Sequence, residues 1–213
     1  MHSWSLIDPE VADETGLVAI GGDLRPERIL LAYRHGIFPW YAEGDPICWW
    51  SPDPRAIFEI GGLHVSRRLA RTLRSGKFLL TVDRDFPGVI RGCGEGRGEG
   101  TWLLPEMVEA YERLHRLGIA HSVEVGHEGG LAGGLYGVAL GGFFAGESMF
   151  HRVRDASKAA LVFLTDRLQR RGFRLFDIQM ATDHTRRLGA VEVPRADYLK
   201  RLRQALAAPA TFV

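Results

Sequence analysis

The chain has 213 residues, 46% hydrophobic and 25% charged, with a formal net charge of +1. That length allows one large domain, or a small one joined to a medium one, and the balance is that of an ordinary globular protein. A near-neutral charge excludes a uniformly basic nucleic-acid coat but not a local basic patch.

The N-terminal stretch MHSWSLIDPEVADE has no basic start followed by an apolar run, and no run of about 18 apolar residues occurs anywhere. The cytoplasm is the expected location. Cys48 and Cys93 stand far apart with no paired spacing, which fits a reducing compartment. The eight histidines form no HExxH pattern, and His121 and His184 are read as surface or hydrogen-bonded side chains rather than metal ligands.

In chain order, Asp23 is positioned to cap a helix with Pro26 in its first turn and Ile29, Leu30 and Tyr33 on its apolar face. Gly36 ends it. PICWWSPDPRAIF reads as a strand broken by a rigid turn. HVSRRLARTLRSGKFLLTV predicts a basic helix capped by Ser66 and stopped at Gly76, then a strand. Phe86 to Ile90 predicts a short helix, and GCGEGRGEG, residues 92 to 100, a surface loop. From Pro105 to Leu117 the spacing is helical, with Met107, Ala110, Tyr111 and Leu114 on one face. HSVEV and LAGGLYGVALGGFFAGESMF alternate like antiparallel strands with a hairpin at Gly141–Gly142. DASKAALVFLTDRLQRRGF predicts a helix capped by Asp155 or Ser157. The strand FRLFDIQM, the short helix DHTRRLGA and the helix ADYLKRLRQALA follow. Composition sets a small N-terminal domain, 1–62, rich in tryptophan, proline and glycine, apart from a larger one, 63–213, whose helix–strand–strand–helix–strand order is typical of α+β acyltransferase cores.

Three stretches carry the chemistry. Between Leu63 and Leu80 lie five cations, Arg67, Arg68, Arg71, Arg74 and Lys77, and no acid. Arg67, Arg71 and Arg74 share one helical face, which would attract phosphates in a salt-dependent way. Arg167, Arg170, Arg171 and Arg174 form a second basic patch. Glu147, set among Phe143, Phe144, Met149 and Phe150, is costly to bury without a partner. It meets either Arg152 or Lys158, or a substrate group. Asp177 and Gln179 alternate with apolar Phe176, Ile178 and Met180, so both point to one face of a strand. The glycine-rich loop holds Glu95 and Glu99 and lacks the P-loop spacing, which counts against a phosphate cradle. GESMF lacks the last glycine of a nucleophile elbow. Trp40 and Trp102, at loop-like positions, are suited to stacking on a base.

The segments GLVAIGGDL, GIFPWY, WWSPDPRAIF, GTW, EAYERLHRLG, AHSVEV, GGLYGV, FFAGESMF, ASKAAL, DIQ and DHTRRLGA, in this order, resemble the leucyl/phenylalanyl-tRNA–protein transferases of bacteria over almost the whole chain. The resemblance implies transfer of Leu or Phe from Leu-tRNA or Phe-tRNA to the α-amine of proteins beginning with Arg or Lys, forming an N-degron for protein degradation. It implies a Gcn5-related N-acetyltransferase-like (Fem-like) C-terminal domain beside a smaller N-terminal α/β domain, with no metal or nucleotide cofactor. A monomer is expected. The D-x-Q pair, Asp177 and Gln179, would act on the incoming amine. Glu147 would serve the terminal adenosine and aminoacyl ester, and Trp40 and Trp102 would flank that adenosine. Leu135, Phe144, Met149 and Phe176 are expected to line the aminoacyl pocket, with Thr182 at a position where the family often has Asn. Gly126 replaces a family tryptophan. In the expected chemistry Asp177 hydrogen-bonds the Gln179 amide, whose carbonyl orients the attacking amine. An N-acyltransferase using another donor and a non-catalytic RNA-binding protein are the rival expectations.

Overall fold

A computed structural model describes residues 8–95 and 101–213. Three short strands, β1 (Leu17–Ile20), β2 (Phe38–Pro39) and β3 (Cys48–Trp50), form a small sheet in the order β1–β3–β2, beside helix α1 (Pro26–Arg34). Pro26 suits the first helical turn, where its missing N–H costs no bond. Asp23 does not cap α1. Its carboxylate accepts from the backbone N–H and guanidinium of Arg25, which takes the cap position.

The large sheet has seven strands: β4 (Arg55–Phe58), β5 (Leu79–Val82), β6 (Ala120–His127), β7 (Gly130–Leu140), β8 (Phe143–His151), β9 (Leu175–Gln179) and β10 (Val191–Val193). Their order is β10–β4–β9–β8–β7–β6–β5. Pairing is antiparallel except between β8 and β9. That parallel pair needs a long crossover, supplied by α5 (Ala156–Arg170). The remaining helices are α2 (Arg67–Arg74), α3 (Phe86–Gly94), α4 (Pro105–Arg116), α6 (Asp183–Arg187) and α7 (Arg195–Leu206). This is the expected α+β class. β4 falls within residues 1–62, yet it is a strand of the large sheet between β10 and β9.

Strand alternation sends side chains to two cores. Tyr136, Val138 and Ala145 pack with α1, α3, α4 and α7 on one side, whereas Leu135, Phe144 and Phe176 pack with α5 on the other. Ser66 caps α2 as expected, accepting from the Leu69 N–H at 3.2 Å. Asp155 precedes α5 without a side-chain cap bond. Gly92, Cys93 and Gly94, expected in the loop, finish α3 instead, where a Cβ on Gly92 would meet the Phe150 ring at 2.5 Å. Residues 96–100 of that loop lie outside the described residues.

Two irregularities open the sheet. The parallel pairing of β8 with β9 runs only from Phe143–Leu175 through Phe144–Phe176 to Ala145–Asp177, and beyond it β9 continues against β4. On the other edge of β8, Tyr136 pairs with Ser148 and Gly137 with Gly146, so Glu147 is skipped as a bulge. A bulge re-aims its side chain. Splay and bulge coincide at residues 145–148.

Candidate active site

An apolar pocket of about 130 Å³ lies at this opening. Leu135, Met149 and Phe176 line it with Phe58, Leu161, Leu164 and Ile178, while Glu147, Ser148, Gln179 and Thr185 supply the polar wall. The pocket's volume is of the order of the roughly 150 Å³ apolar cavity that admits a benzene ring. Gly146 is required here, because a Cβ would stand 2.9 Å from the Phe176 ring. Phe144 does not line the pocket. It is fully buried beneath it, stacked on Phe212 at 5.2 Å and edge-on to Phe176 at 5.8 Å. Thr182 is exposed and spends its side chain capping α6 in a reciprocal box with Thr185; Thr185 is the one that reaches the pocket.

Glu147 pairs with neither Arg152 nor Lys158, which bind Glu95 and Asp155. Instead Tyr111 donates to its Oε2 at 3.2 Å, and the Tyr111 hydroxyl stands 2.6 Å from that of Tyr33. Glu147 thus lines the pocket while its carboxylate sits against buried phenols. Burial, reinforced by the Asp177 charge, outweighs the tyrosine hydrogen bonds and pushes the Glu147 carboxyl up to about 8. Burial likewise holds the Tyr33 and Tyr111 phenols well above their ordinary range, so both stay protonated donors.

Asp177 is in a different situation. It is fully buried and clamped by Arg55, whose Nε and Nη2 donate to its two oxygens at 2.9 and 2.7 Å. Tyr198 adds a donor at 2.9 Å, and the Gln179 backbone N–H another at 2.9 Å. The carboxylate therefore holds the backbone of Gln179, not its side-chain amide. Burial pulls the Arg55 guanidinium down, but Asp177 beside it lifts it further, leaving it above the ordinary arginine value.

Gln179 has a left-handed φ of 58°, uncommon for a side-chain-bearing residue. Its amide Nε2 lies 3.3 Å from Glu147 Oε1. The opposite amide orientation is better satisfied. Nε2 then donates to the carbonyls of Ile178 at 2.9 Å and Gly146 at 3.0 Å, and Oε1 faces Glu147. An amide oxygen accepts up to two hydrogen bonds.

A second, wider cavity of about 750 Å³ brings Trp40 and Trp102 together with Trp50, Tyr41, Glu43 and Asp45. Trp40 is 42% exposed and braced edge-on against Trp50 at 6.0 Å. An exposed indole with a fixed neighbour is a ready stacking surface.

On α2, Arg67, Arg71 and Arg74 are exposed, and Lys77 follows in the turn. Arg68 is exposed too, but its guanidinium already meets Asp155 at 3.0 and 3.1 Å. The second basic patch is also partly spent, since Arg167 donates to the Phe212 carbonyl at 2.8 Å and Arg170 pairs with Asp166. His121 binds Asp83 at 2.7 Å. Burial and the neighbouring Lys158, His151 and Arg187 depress the His184 pKa. Among the described residues no His, Cys, Asp or Glu group is arranged to hold a metal, and no helix is long and apolar enough to cross a membrane.

Arg55, Tyr33, Tyr111 and Tyr198 were not singled out from sequence as site residues. Arg55 left one signal, an arginine opening the otherwise apolar strand RAIF, whose four residues are all buried. The tyrosines left none, because at helical spacing a phenol reads as core.

An apolar pocket with a carboxyl pushed up in its wall and a held carboxamide, at the splay of a mixed sheet, is a place where an apolar group can sit beside polar atoms able to exchange protons. The match to known proteins makes the class specific. The profile of the leucyl/phenylalanyl-tRNA protein transferase family matches residues 57–203, and that of the family's N-terminal domain residues 22–53. The leucyl/phenylalanyl-tRNA–protein transferase of Alkalilimnicola ehrlichii is 58% identical, over 92% of this chain and 78% of its own length. That of Solidesulfovibrio magneticus is 56% identical, over 96% of this chain and 87% of its own. A solved GCN5-related N-acetyltransferase from Kribbella flavida is similar at 14% identity and a TM-score of 0.44, covering 78% of this chain and 60% of that one. The chain belongs to the leucyl/phenylalanyl-tRNA–protein transferase family and is an aminoacyltransferase.

Proposed function

We propose that this chain takes leucine or phenylalanine from Leu-tRNA or Phe-tRNA and joins it to the α-amine of proteins beginning with Arg or Lys. The product carries an N-degron. We place the reaction in the cytoplasm and assign it to a single chain. Cys48 and Cys93 are both thiols, as a reducing compartment keeps them. The observation that carries this reading is the 130 Å³ apolar pocket with Glu147 and Gln179 in its wall.

The ester donor is already activated, so no ATP is required at this step. The aminoacyl side chain enters the pocket among Leu135, Met149 and Phe176, where the thioether of Met149 adapts to either Leu or Phe. The terminal adenosine stacks in the wider cavity on Trp40 and Trp102. Phosphates of the tRNA run over Arg67, Arg71, Arg74 and Lys77. The acceptor α-amine has an ordinary pKa near 8, so an appreciable neutral fraction exists at neutral pH.

That amine donates one hydrogen to Gln179 Oε1, which aims its lone pair at the ester carbonyl. The new C–N bond forms as the bond from the carbonyl carbon to the ribose oxygen breaks. Glu147, protonated at neutral pH, gives its proton to that departing oxygen and recovers one from the amine. Asp177 works by holding Gln179, with its own oxygens engaged by Arg55, Tyr198 and the Gln179 backbone N–H. The small sheet carries the adenosine side of the site and residues 63–213 the aminoacyl side, with β4 shared between them.

A competition assay tests the reading. The protein is mixed with labelled Leu-tRNA, labelled acetyl-CoA and a peptide beginning with Arg. Labelling from Leu-tRNA alone is expected. Labelling from acetyl-CoA would make it an acetyltransferase, and tRNA binding with no labelling would leave an RNA-binding protein.

A further inference from the structure

Arg55 stands between two parts of the proposed site. On one side its guanidinium holds both oxygens of Asp177, which in turn holds the backbone N–H of Gln179. On the other, Nη1 donates to the Gly36 carbonyl at 2.9 Å, and the guanidinium lies 4.8 Å from the centre of the Phe38 ring. Gly36 and Phe38 lead into Trp40. Phe38 pairs with Trp50 across β2–β3, and Trp50 donates its indole N–H to the Trp40 carbonyl at 2.6 Å. Tyr198 closes the arrangement from α7, with its ring 4.5 Å from the guanidinium and its hydroxyl on Asp177 at 2.9 Å.

A buried ion pair is a poor source of stability, because desolvation offsets most of the attraction. Its value here lies in geometry. A planar, bidentate guanidinium fixes direction as well as distance, which a lysine ammonium cannot do. Gln179 needs such a fixture, because its left-handed backbone is unfavourable unless the surroundings impose it. The segment carrying Trp40 needs one too, because β2 has only two residues.

We infer that Arg55 is a positioning residue that sets the adenosine-stacking segment and the amine-orienting Gln179 in one register, with Tyr198 a second positioning residue acting on the Gln179 side alone. The inference rests on the proposed roles of Gln179 and Trp40. It predicts a split that simple structural support does not. Arg55→Lys keeps the charge but loses the fork. It should lower kcat and raise KM for Leu-tRNA, each roughly fivefold or more. Tyr198→Phe should lower kcat by roughly fivefold to tenfold with KM unchanged, since one hydrogen bond to a charged group is removed. Trp40→Ala should raise KM alone, and adding Arg55→Lys to it should raise KM by less than Arg55→Lys does in the parent.

Steady-state kinetics on the full chain, varying Leu-tRNA against an Arg-peptide at a temperature where circular dichroism shows each variant folded, reads these quantities. The inference is overturned if Arg55→Lys and Tyr198→Phe are folded and within about twofold of the parent while Gln179→Ala has lost turnover. It is also overturned if Arg55→Lys changes kcat with no change in KM. Should Arg55→Lys not fold, Tyr198→Phe decides: an unchanged kcat overturns the inference and a selective fall in kcat supports it. If Gln179→Ala keeps full turnover, the role of Gln179 itself is wrong and the inference falls with it, by a result separable from the others.

Discussion

The two carboxylates at the splay, Asp177 on β9 and Glu147 on β8, share one opening in the sheet and meet opposite surroundings. Asp177 faces a guanidinium and has every lone pair engaged by a donor. Glu147 faces phenols and an amide, with no cation bonded to it, and is pushed up to about 8. Burial therefore ties one carboxylate into an ion pair and pushes the other toward its neutral form. Both lose solvation, but only Asp177 gains a guanidinium partner in exchange. A charge held by a rigid partner is a fixture, whereas a carboxyl left to tyrosines is able to exchange a proton near neutral pH.

Removing the fixture has the largest expected effect. Asp177→Ala leaves Arg55 buried and unpaired and should destabilise the fold by about 3–5 kcal/mol, measured by urea unfolding. A loss below about 1 kcal/mol would show that water reaches the pair and that Asp177 is no fixture. Next comes the group the fixture holds. Gln179→Ala should lower kcat by roughly a hundredfold with KM for Leu-tRNA within about twofold, the range for losing one preorganised polar group at a reaction centre. An equal rise in KM would assign Gln179 to donor binding.

Glu147 supplies the contrast in pH. Its folded pKa stands above its ordinary value, so the folded chain holds a proton that the unfolded chain has lost between about pH 4.5 and about 8. Stability therefore falls as pH rises through that window and levels off above it. Glu147→Gln should flatten this slope in thermal melts from pH 5 to 9. In the parent, kcat should drop up to about tenfold per pH unit above 8 as the acid ionises, and the Gln variant should lack that limb at a lower plateau. A parent profile that keeps rising past pH 9 would remove Glu147 from proton transfer.

Two smaller effects test the donor side. Trp102→Ala should weaken Leu-tRNA by about 1–3 kcal/mol, seen as a rise in KM with kcat kept. Neutralising Arg67, Arg71 and Arg74 together should flatten the salt dependence of Leu-tRNA binding by roughly one slope unit for each phosphate that no longer meets a cation. The same change at Arg68 should leave that slope unaltered, because its guanidinium is already spent on Asp155. If Arg68 behaves like the others, that internal pair opens when RNA binds.

Local patterns were legible in the chain itself. Alternation over β6, β7 and β8, the Gly141–Gly142 hairpin, the helical spacing of α4 and α5 and the Ser66 cap all depend on neighbours a few residues apart. The polar pair on β9 was visible for the same reason, and the motifs GESMF and DIQ marked Glu147, Asp177 and Gln179 by resemblance. Partnership was not visible. Phe144 and Leu135 look alike in sequence, but only one faces the pocket. Thr182 looked like a site residue and proved to be a helix cap, because its neighbour Thr185 completes the box.

By itself, then, the sequence determined the class of fold, the family and which residue types stand at the opening of the sheet, since these are written in short-range pattern. Only the tertiary structure decided which carboxylate meets a guanidinium and which meets phenols. That choice depends on Arg55 arriving from 122 positions away in the chain and Tyr111 from 36. Electrostatic energy follows distance in space, and spacing along the chain carries no record of it.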